Sequence, residues 1–77
     1  MEKQFIEHFK EALEINERNP EPADEFRHYD EWDSLSQLSL IAMLDDEYGV
    51  EIENEEFAKL KTIQDLIDTV KKRQSGE

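Results

Sequence analysis

Apolar residues recur at helical spacing in three long segments of the chain. In the first segment, residues 3–16, the residues Phe5, Ile6, Phe9 and Leu13 fall on one helical face, and charged residues occupy the other. Such a stripe is typical of an amphipathic helix that buries one face. The sequence therefore predicts a first helix over residues 3–16.

A long connection, residues 17–33, separates the first segment from the second. Pro20 and Pro22 lie near its start and block continuation of the helix. Its second half carries three aromatic residues, Phe26, Tyr29 and Trp32. We expect these rings to fold back over the core and to hold the loop in place.

The second helix is expected to begin at a cap provided by Asp33 or Ser34 and to run to Tyr48, with Gly49 as the left-handed residue that follows. It carries two apolar stripes. One consists of Leu40, Met43, Leu44 and Tyr48, and the other of Leu35, Leu38, Ile41 and Ala42. One stripe suffices for the core, so the second is either covered by the loop or available to a partner.

The last third of the chain predicts two further helices. Val50 and Ile52 are expected to enter the core, and Asn54 to cap a short helix over residues 55–60. Thr62 is the expected cap of the final helix, whose apolar stripe comprises Ile63, Leu66, Ile67 and Val70. The sequence thus predicts an all-α four-helix bundle, with residues 1–77 as one domain and 73–77 as a disordered tail.

Charge narrows the choice of partners. The 77 residues include 21 acidic and nine basic side chains, which gives a formal net charge of −12. No lysine or arginine occurs between His28 and Ala58, a stretch with ten acidic residues. Nucleic acids and anionic membranes would repel such a chain. We expect it to dock on basic protein surfaces instead.

The composition argues against several kinds of chemistry. There is no cysteine, and His8 and His28 are too few for a zinc site, so no metal centre is expected. No Gly-x-Ser-x-Gly motif surrounds Ser34, so the sequence does not predict an enzyme. The polar N-terminus and the lack of a long apolar run favour a cytoplasmic protein. We also expect it to be a monomer.

One arrangement stands out, the tripeptide Asp33-Ser34-Leu35 at the start of the second helix. Alone it is weak, since a serine at a helix start is usually a structural cap. Its surroundings are more specific: the helix ends Leu44-Asp45-Asp46-Glu47-Tyr48-Gly49-Val50-Glu51-Ile52, and Leu60-Lys61-Thr62-Ile63-Gln64-Asp65-Leu66-Ile67 follows. From about Asp30 to Val70 the chain resembles the acyl carrier protein family.

The resemblance implies a four-helix bundle whose Ser34 receives 4′-phosphopantetheine from coenzyme A, in a transfer performed by a separate phosphopantetheinyl transferase. The thiol of that group would hold acyl or aminoacyl cargo as a thioester for synthases, ligases and acyl-transferring enzymes with basic docking surfaces. Asp33 and Leu35 would help to present Ser34. Partners would contact Leu38, Ala42, Asp45, Asp46 and Glu47, and a short acyl chain would shelter among Leu44, Phe57, Leu60 and Ile63.

Departures from the family pattern favour a specialised carrier over the one that serves fatty-acid biosynthesis. Glu31 and Trp32 stand where small residues are common, and the first half of the second helix has Ser36, Gln37 and Ser39 where an acidic residue is usual. A second hypothesis stays open: an acidic helical docking module without a prosthetic group. The cargo, the pathway and the individual partner enzymes also stay open.

Overall fold

Four α-helices form the regular framework of the computed structural model, which describes residues 2–75. They are α1 (Glu2–Leu13), α2 (Ser36–Tyr48), α3 (Asn54–Phe57) and α4 (Ile63–Gln74), with a single 3₁₀ turn at Phe26–His28. Within residues 2–75 the only β-type pairing is an isolated bridge between Glu25 and Thr62. The predicted all-α architecture, with a long first loop and a short third helix, is confirmed.

The core lies where the apolar faces of α1 and α4 meet α2. The predicted stripes are confirmed, because the four stripe residues of α4 are fully buried and α1 buries Phe5, Phe9 and Leu13. Val50 and Ile52 also enter the core, with 3% and 5% of their surface exposed. None of the helices described in residues 2–75 is both long and apolar enough to cross a membrane.

The predicted end of the first helix is wrong by three residues, because α1 stops at Leu13. Glu14 adopts a left-handed conformation, with φ at 55°. The N–H of Ile15 then donates to the carbonyl of Lys10 at 2.9 Å, and the Glu14 N–H donates to Glu11 at 3.3 Å. This is a Schellman ending, and it turns Ile15 into the core. Glycine usually occupies the left-handed position, so the sequence gives no signal for this stop.

The loop aromatics fold onto the core as expected. Phe26 is fully buried, Tyr29 is 9% exposed, and Trp32 packs against the core while partly exposed. The rings of Phe26 and Trp32 are 5.2 Å apart, and the Trp32 ring is nearly parallel to that of Phe57, 6.4 Å away. The 3₁₀ turn that presents Phe26 is not predicted by the sequence pattern.

The third helix begins and ends earlier than predicted. It spans Asn54–Phe57, so Asn54 is its first residue and not its cap. The residue before it, Glu53, is extended and makes no side-chain capping bond. The Asn54 carboxamide instead accepts a hydrogen bond from Gln37 across the space to α2. After Phe57 the chain continues in tight turns, because Lys59 and Leu60 donate to carbonyls only three residues back.

The predicted cap of the last helix is confirmed. The Thr62 hydroxyl accepts from the N–H of Asp65 at 3.1 Å, and the Asp65 carboxylate accepts from the N–H of Thr62 at 3.1 Å. The expected tail, residues 73–77, overlaps this helix, since Arg73 and Gln74 are its last two residues. Arg73 is held in place because it donates to the Glu51 carbonyl at 3.1 Å and pairs with Glu56. Residues 76 and 77 lie outside the described range.

Candidate functional site

A closed ring of hydrogen bonds shapes the turn that begins α2. Oδ1 of Asp33 accepts from the backbone N–H of Leu35 at 2.9 Å and of Ser36 at 3.0 Å, and from the Ser36 hydroxyl at 3.0 Å. The Ser36 hydroxyl oxygen accepts from the Asp33 N–H at 2.9 Å. Asp33 and Ser36 therefore close, reciprocally, the turn that leads into α2. Neither expected cap is the residue directly before α2, which is Leu35 and makes no side-chain capping bond, but Asp33 supplies the acceptor for the N–H groups of this turn and Ser34 does not.

These hydrogen bonds also fix the charge of Asp33. The backbone N–H of Leu35, followed by the Ser36 hydroxyl and the Ser36 N–H, lowers the pKa of the Asp33 carboxyl below its ordinary value. Donors that point at a carboxylate favour its ionised form. A negative charge therefore stands directly before Ser34, at the positive end of α2.

Ser34 lies at the outer edge of this turn and is exposed to solvent. Since Asp33 and Ser36 already satisfy the backbone donors of the turn, the Ser34 hydroxyl has no capping role. Within residues 2–75 it makes no hydrogen bond to another protein group. A hydroxyl in this position is free to be esterified without disturbing the helix start.

An exposed apolar strip runs along α2 from the turn. Leu35 and Leu38 are 66% and 62% exposed, and they are the large exposed apolar side chains found within residues 2–75. Ala42 is also exposed, one helical turn further on, while Ile41 is partly buried against the core. The second stripe of α2 is therefore mostly uncovered, which answers the question that the sequence left open.

The acidic residues at the end of α2 lie beyond this strip. Asp45, Asp46 and Glu47 are all exposed, and Nε2 of His8 lies 3.7 Å from a carboxylate oxygen of Glu47. The acidic stretch between His28 and Ala58 contains no lysine or arginine of its own, but arginines from other parts of the chain form ion pairs with its carboxylates. Arg18 pairs with Glu31 at 3.1 Å, and Arg73 pairs with Glu56.

The four residues expected to line an acyl pocket belong to the interior. Leu44, Phe57 and Ile63 are fully buried, and Leu60 packs against the same core while partly exposed. All four thus belong to, or pack against, one core cluster. One surface groove runs beside the Asp33–Ser36 turn, between Glu11, Glu14 and Ser39.

Three groups at or near the site were missed by sequence reasoning. Ser36 closes the turn before α2 together with Asp33, and its spacing of three residues from Asp33 is the signal that could have shown it. Arg18 and Arg27 hold the loop by contacts 13 or more residues away in sequence. Such long-range pairs leave no local pattern in a single sequence.

Comparison with known proteins identifies the family. A profile of the family described as phosphopantetheine attachment site matches residues 3–70. The chain belongs to this family. The prosthetic group of the family is 4′-phosphopantetheine, held covalently, and the exposed, unengaged hydroxyl of Ser34 fits its attachment.

Relatives in sequence and structure agree with this assignment. The chain is 53% identical over 38 residues to the acyl carrier protein of Thermosynechococcus vestitus, a match that covers 49% of the chain and 47% of the relative. It is 42% identical over 43 residues to that of Rickettsia canadensis, covering 56% and 50%. The aligned part thus spans about half the length of these curated relatives.

The fold comparison covers nearly the whole chain. The solution structure of a holo acyl carrier protein from Geobacter metallireducens matches with a TM-score of 0.82 at 27% sequence identity. The match covers 96% of this chain and 85% of that one. The four-helix arrangement of this phosphopantetheine-attachment chain is therefore the acyl carrier fold.

Proposed function

We propose that this chain is an acyl carrier protein in which Ser34 is the attachment site of 4′-phosphopantetheine. The observation that supports it most is the Asp33–Ser36 turn, which leaves one hydroxyl exposed and unengaged at the start of α2. When bound, the group supplies a thiol on a flexible arm, which holds acyl or aminoacyl cargo as a thioester. The protein itself is a carrier and not a catalyst.

In this proposal the residues around Ser34 present it to a phosphopantetheinyl transferase. Asp33 holds the turn through Oδ1 and keeps a negative charge beside the hydroxyl. Leu35 offers an exposed apolar contact next to the serine. The transferase would add the group from coenzyme A and would recognise this turn.

The same face of α2 would bind the enzymes that use the cargo. Leu38 and Ala42 continue the apolar strip, and Asp45, Asp46 and Glu47 supply charge for basic surfaces. Leu44, Phe57, Leu60 and Ile63 are the interior residues that an entering acyl chain would meet. We place the protein in the cytoplasm as a monomer, in a specialised route and not in bulk fatty-acid synthesis.

Intact-protein mass spectrometry tests the attachment site. The protein is incubated with coenzyme A, Mg²⁺ and a transferase of broad specificity, and a gain of one phosphopantetheinyl group is expected. Ser34→Ala should gain nothing. Because Ser34 does not cap α2, this variant should lose less than about 0.5 kcal/mol of stability.

Ser39→Ala is the matched control, because Ser39 is another exposed serine, in the first half of α2. It should be modified as fully as the wild type. A Ser34→Ala variant that still gains the group would refute the site. If folded wild-type protein gains nothing with several transferases, the docking module without a prosthetic group becomes the better explanation.

A further inference from the structure

Arg27 ties the long loop to the end of α3. Its guanidinium donates to the carbonyl of Phe57 at 2.8 Å and to the carbonyl of Leu60. Phe57 is the last residue of α3 and Leu60 lies in the turn that follows it, so both acceptors stand at the C-terminal end of this short helix, where carbonyls lack the usual α-helical donors. A planar guanidinium can serve two such acceptors at once. Arg27 therefore fixes the distance between the loop and α3.

The same guanidinium lies over aromatic rings of the interior. Its central carbon is 4.8 Å from the ring centre of Phe26 and 5.0 Å from that of Phe57. Trp32 completes the cluster, because it stacks on Phe57 and tilts against Phe26. Cation and rings attract one another at these distances. Arg27, Phe26, Trp32 and Phe57 thus form one cover, which we refer to as the aromatic cover.

Backbone contacts hold the loop on its other side. The N–H of Gln64 donates to the Pro22 carbonyl at 2.8 Å, and the N–H of Ile63 donates to the Asp24 carbonyl at 3.1 Å. The loop is therefore attached both to the start of α4 and, through Arg27, to the end of α3. The segment between these attachments can move away from the core only if one of them breaks.

The aromatic cover is made partly from the residues of the expected acyl pocket. Phe57 supplies both a ring and an acceptor carbonyl, and Leu60 supplies the second carbonyl. Leu44 and Ile63 are fully buried in the core that includes Phe57. An acyl chain that entered between the loop and α3 to reach them would break both Arg27 hydrogen bonds.

We propose that Arg27 is a latch that keeps this interior closed, so that the carrier presents short or polar cargo in solvent and does not shelter long acyl chains. The inference rests on the proposed carrier function. As a latch, Arg27 would determine which cargo lengths the carrier accepts in its interior, and it would do so by fixing the position of α3. Releasing it would let a longer chain enter among Leu44, Leu60 and Ile63.

The test loads the protein with two cargos of different length. A transferase with acetyl- or octanoyl-coenzyme A modifies wild type, Arg27→Ala, Arg27→Lys and Arg18→Ala. The readouts are the NMR methyl signals of Leu44, Leu60 and Ile63 and the rate of thioester hydrolysis. Arg18→Ala is the matched control, since Arg18 also holds the loop, through Glu31 and Tyr29, but without a contact to α3.

In the wild type and in Arg18→Ala, we expect the same methyl signals and the same hydrolysis rate with either cargo. In Arg27→Ala, octanoyl should shift the methyl signals and slow hydrolysis by roughly fourfold, as expected if three quarters of the chains are sheltered. Arg27→Lys, which keeps the charge but lacks the planar fork, should show the same change more weakly.

The outcomes separate the two proposals. Octanoyl-specific shifts in the wild type, or their absence in a folded Arg27 variant, would overturn the latch and leave the carrier function intact. If neither Arg27 variant folds, the comparison of acetyl- and octanoyl-loaded wild type decides. Sheltered octanoyl in the wild type would contradict the latch, and octanoyl that is not sheltered would support it. Failure to gain any cargo mass would overturn the carrier function, and the latch with it.

Discussion

At the scale of single residues, Asp33 combines two tasks that a substitution can separate. Its Oδ1 atom holds the turn by accepting three hydrogen bonds, and its charge stands beside Ser34. Asparagine keeps an acceptor oxygen and loses the charge, whereas alanine loses both. The two variants therefore distinguish the shape of the turn from its charge.

We expect Asp33→Asn to fold normally and to be modified more slowly. The kcat/KM of the transferase should fall by roughly tenfold, the effect of losing one charge-assisted contact. The kcat/KM for Asp33→Ala should fall further, because this variant also loosens the start of the helix. The measurement is the initial rate of phosphopantetheinylation at fixed transferase, with circular dichroism as the check on folding. Equal rates for wild type and Asp33→Asn would show that the charge has no role.

Asp65 gives a pH-dependent prediction. Backbone N–H groups of Lys61 and Thr62 lower the pKa of the Asp65 carboxyl below its ordinary value. A lowered folded pKa stabilises the fold above the ordinary pKa of about 3.9, and this stability is lost as the pH falls through the folded value. Asp65→Asn should thus cost about 1 kcal/mol at pH 7, and the difference from wild type should shrink below about pH 4.

Urea unfolding of both proteins at pH 7 and at acid pH checks this prediction. Asp68→Asn is the control, because Asp68 is exposed on the same helix and its removal changes the net charge equally. It should differ little from wild type at either pH. A gap between Asp65→Asn and wild type that stays constant as the pH falls would contradict the role of the ionised carboxylate.

At the scale of helices, two ends use the same left-handed turn with different residues. The residue after α2 is Gly49, with φ at 65°, and the residue after α1 is Glu14, with φ at 55°. Glycine adopts this conformation freely, while a residue with a side chain is strained in it. A Cβ at Gly49 would meet no atom within 4 Å, so replacement there would test backbone strain alone.

We expect Gly49→Ala to destabilise the fold by about 1 kcal/mol and Glu14→Gly to stabilise it by roughly 0.5–1 kcal/mol. Thermal and urea unfolding measure both effects. Glu14→Gln is the control, because it removes the same charge and keeps the strain, so it should gain less than Glu14→Gly. If Glu14→Gln gains as much, charge relief and not backbone strain explains the effect.

At the scale of the whole molecule, self-repulsion opposes folding. The net charge is −12, and the ion pairs of Arg18 with Glu31 and of Arg73 with Glu56 offset little of it, since both are partly exposed. Salt screens repulsion between exposed charges over distances of about 10 Å at 0.1 M.

Added NaCl should therefore raise the melting temperature of the free protein and weaken its association with basic partners. Differential scanning calorimetry from low salt to physiological salt measures the first effect, and binding to a transferase measures the second. Glu7→Gln, at an exposed position of α1, should reduce the salt dependence slightly, since it removes one charge. A melting temperature that drops with moderate salt would contradict dominant self-repulsion.

The sequence by itself determined the features that depend on neighbours along the chain. Helical periodicity located the buried stripes of α1, α2 and α4, because residues three and four apart share a helix face whatever surrounds them. The same local logic identified Gly49 as a helix end and the Thr62–Asp65 cap, and the exposed serine before α2 followed from its motif.

Only the tertiary structure decided the features that depend on contacts between distant segments. The left-handed Glu14 ends α1 because Ile15 must turn into the core, and no residue type announces it. Leu35 and Leu38 are exposed because the long loop packs over other surfaces, and the path of that loop is not encoded near these two residues. Arg27 reaches carbonyls 30 and 33 residues away, and such pairings are set by how the loop packs, not by any local pattern.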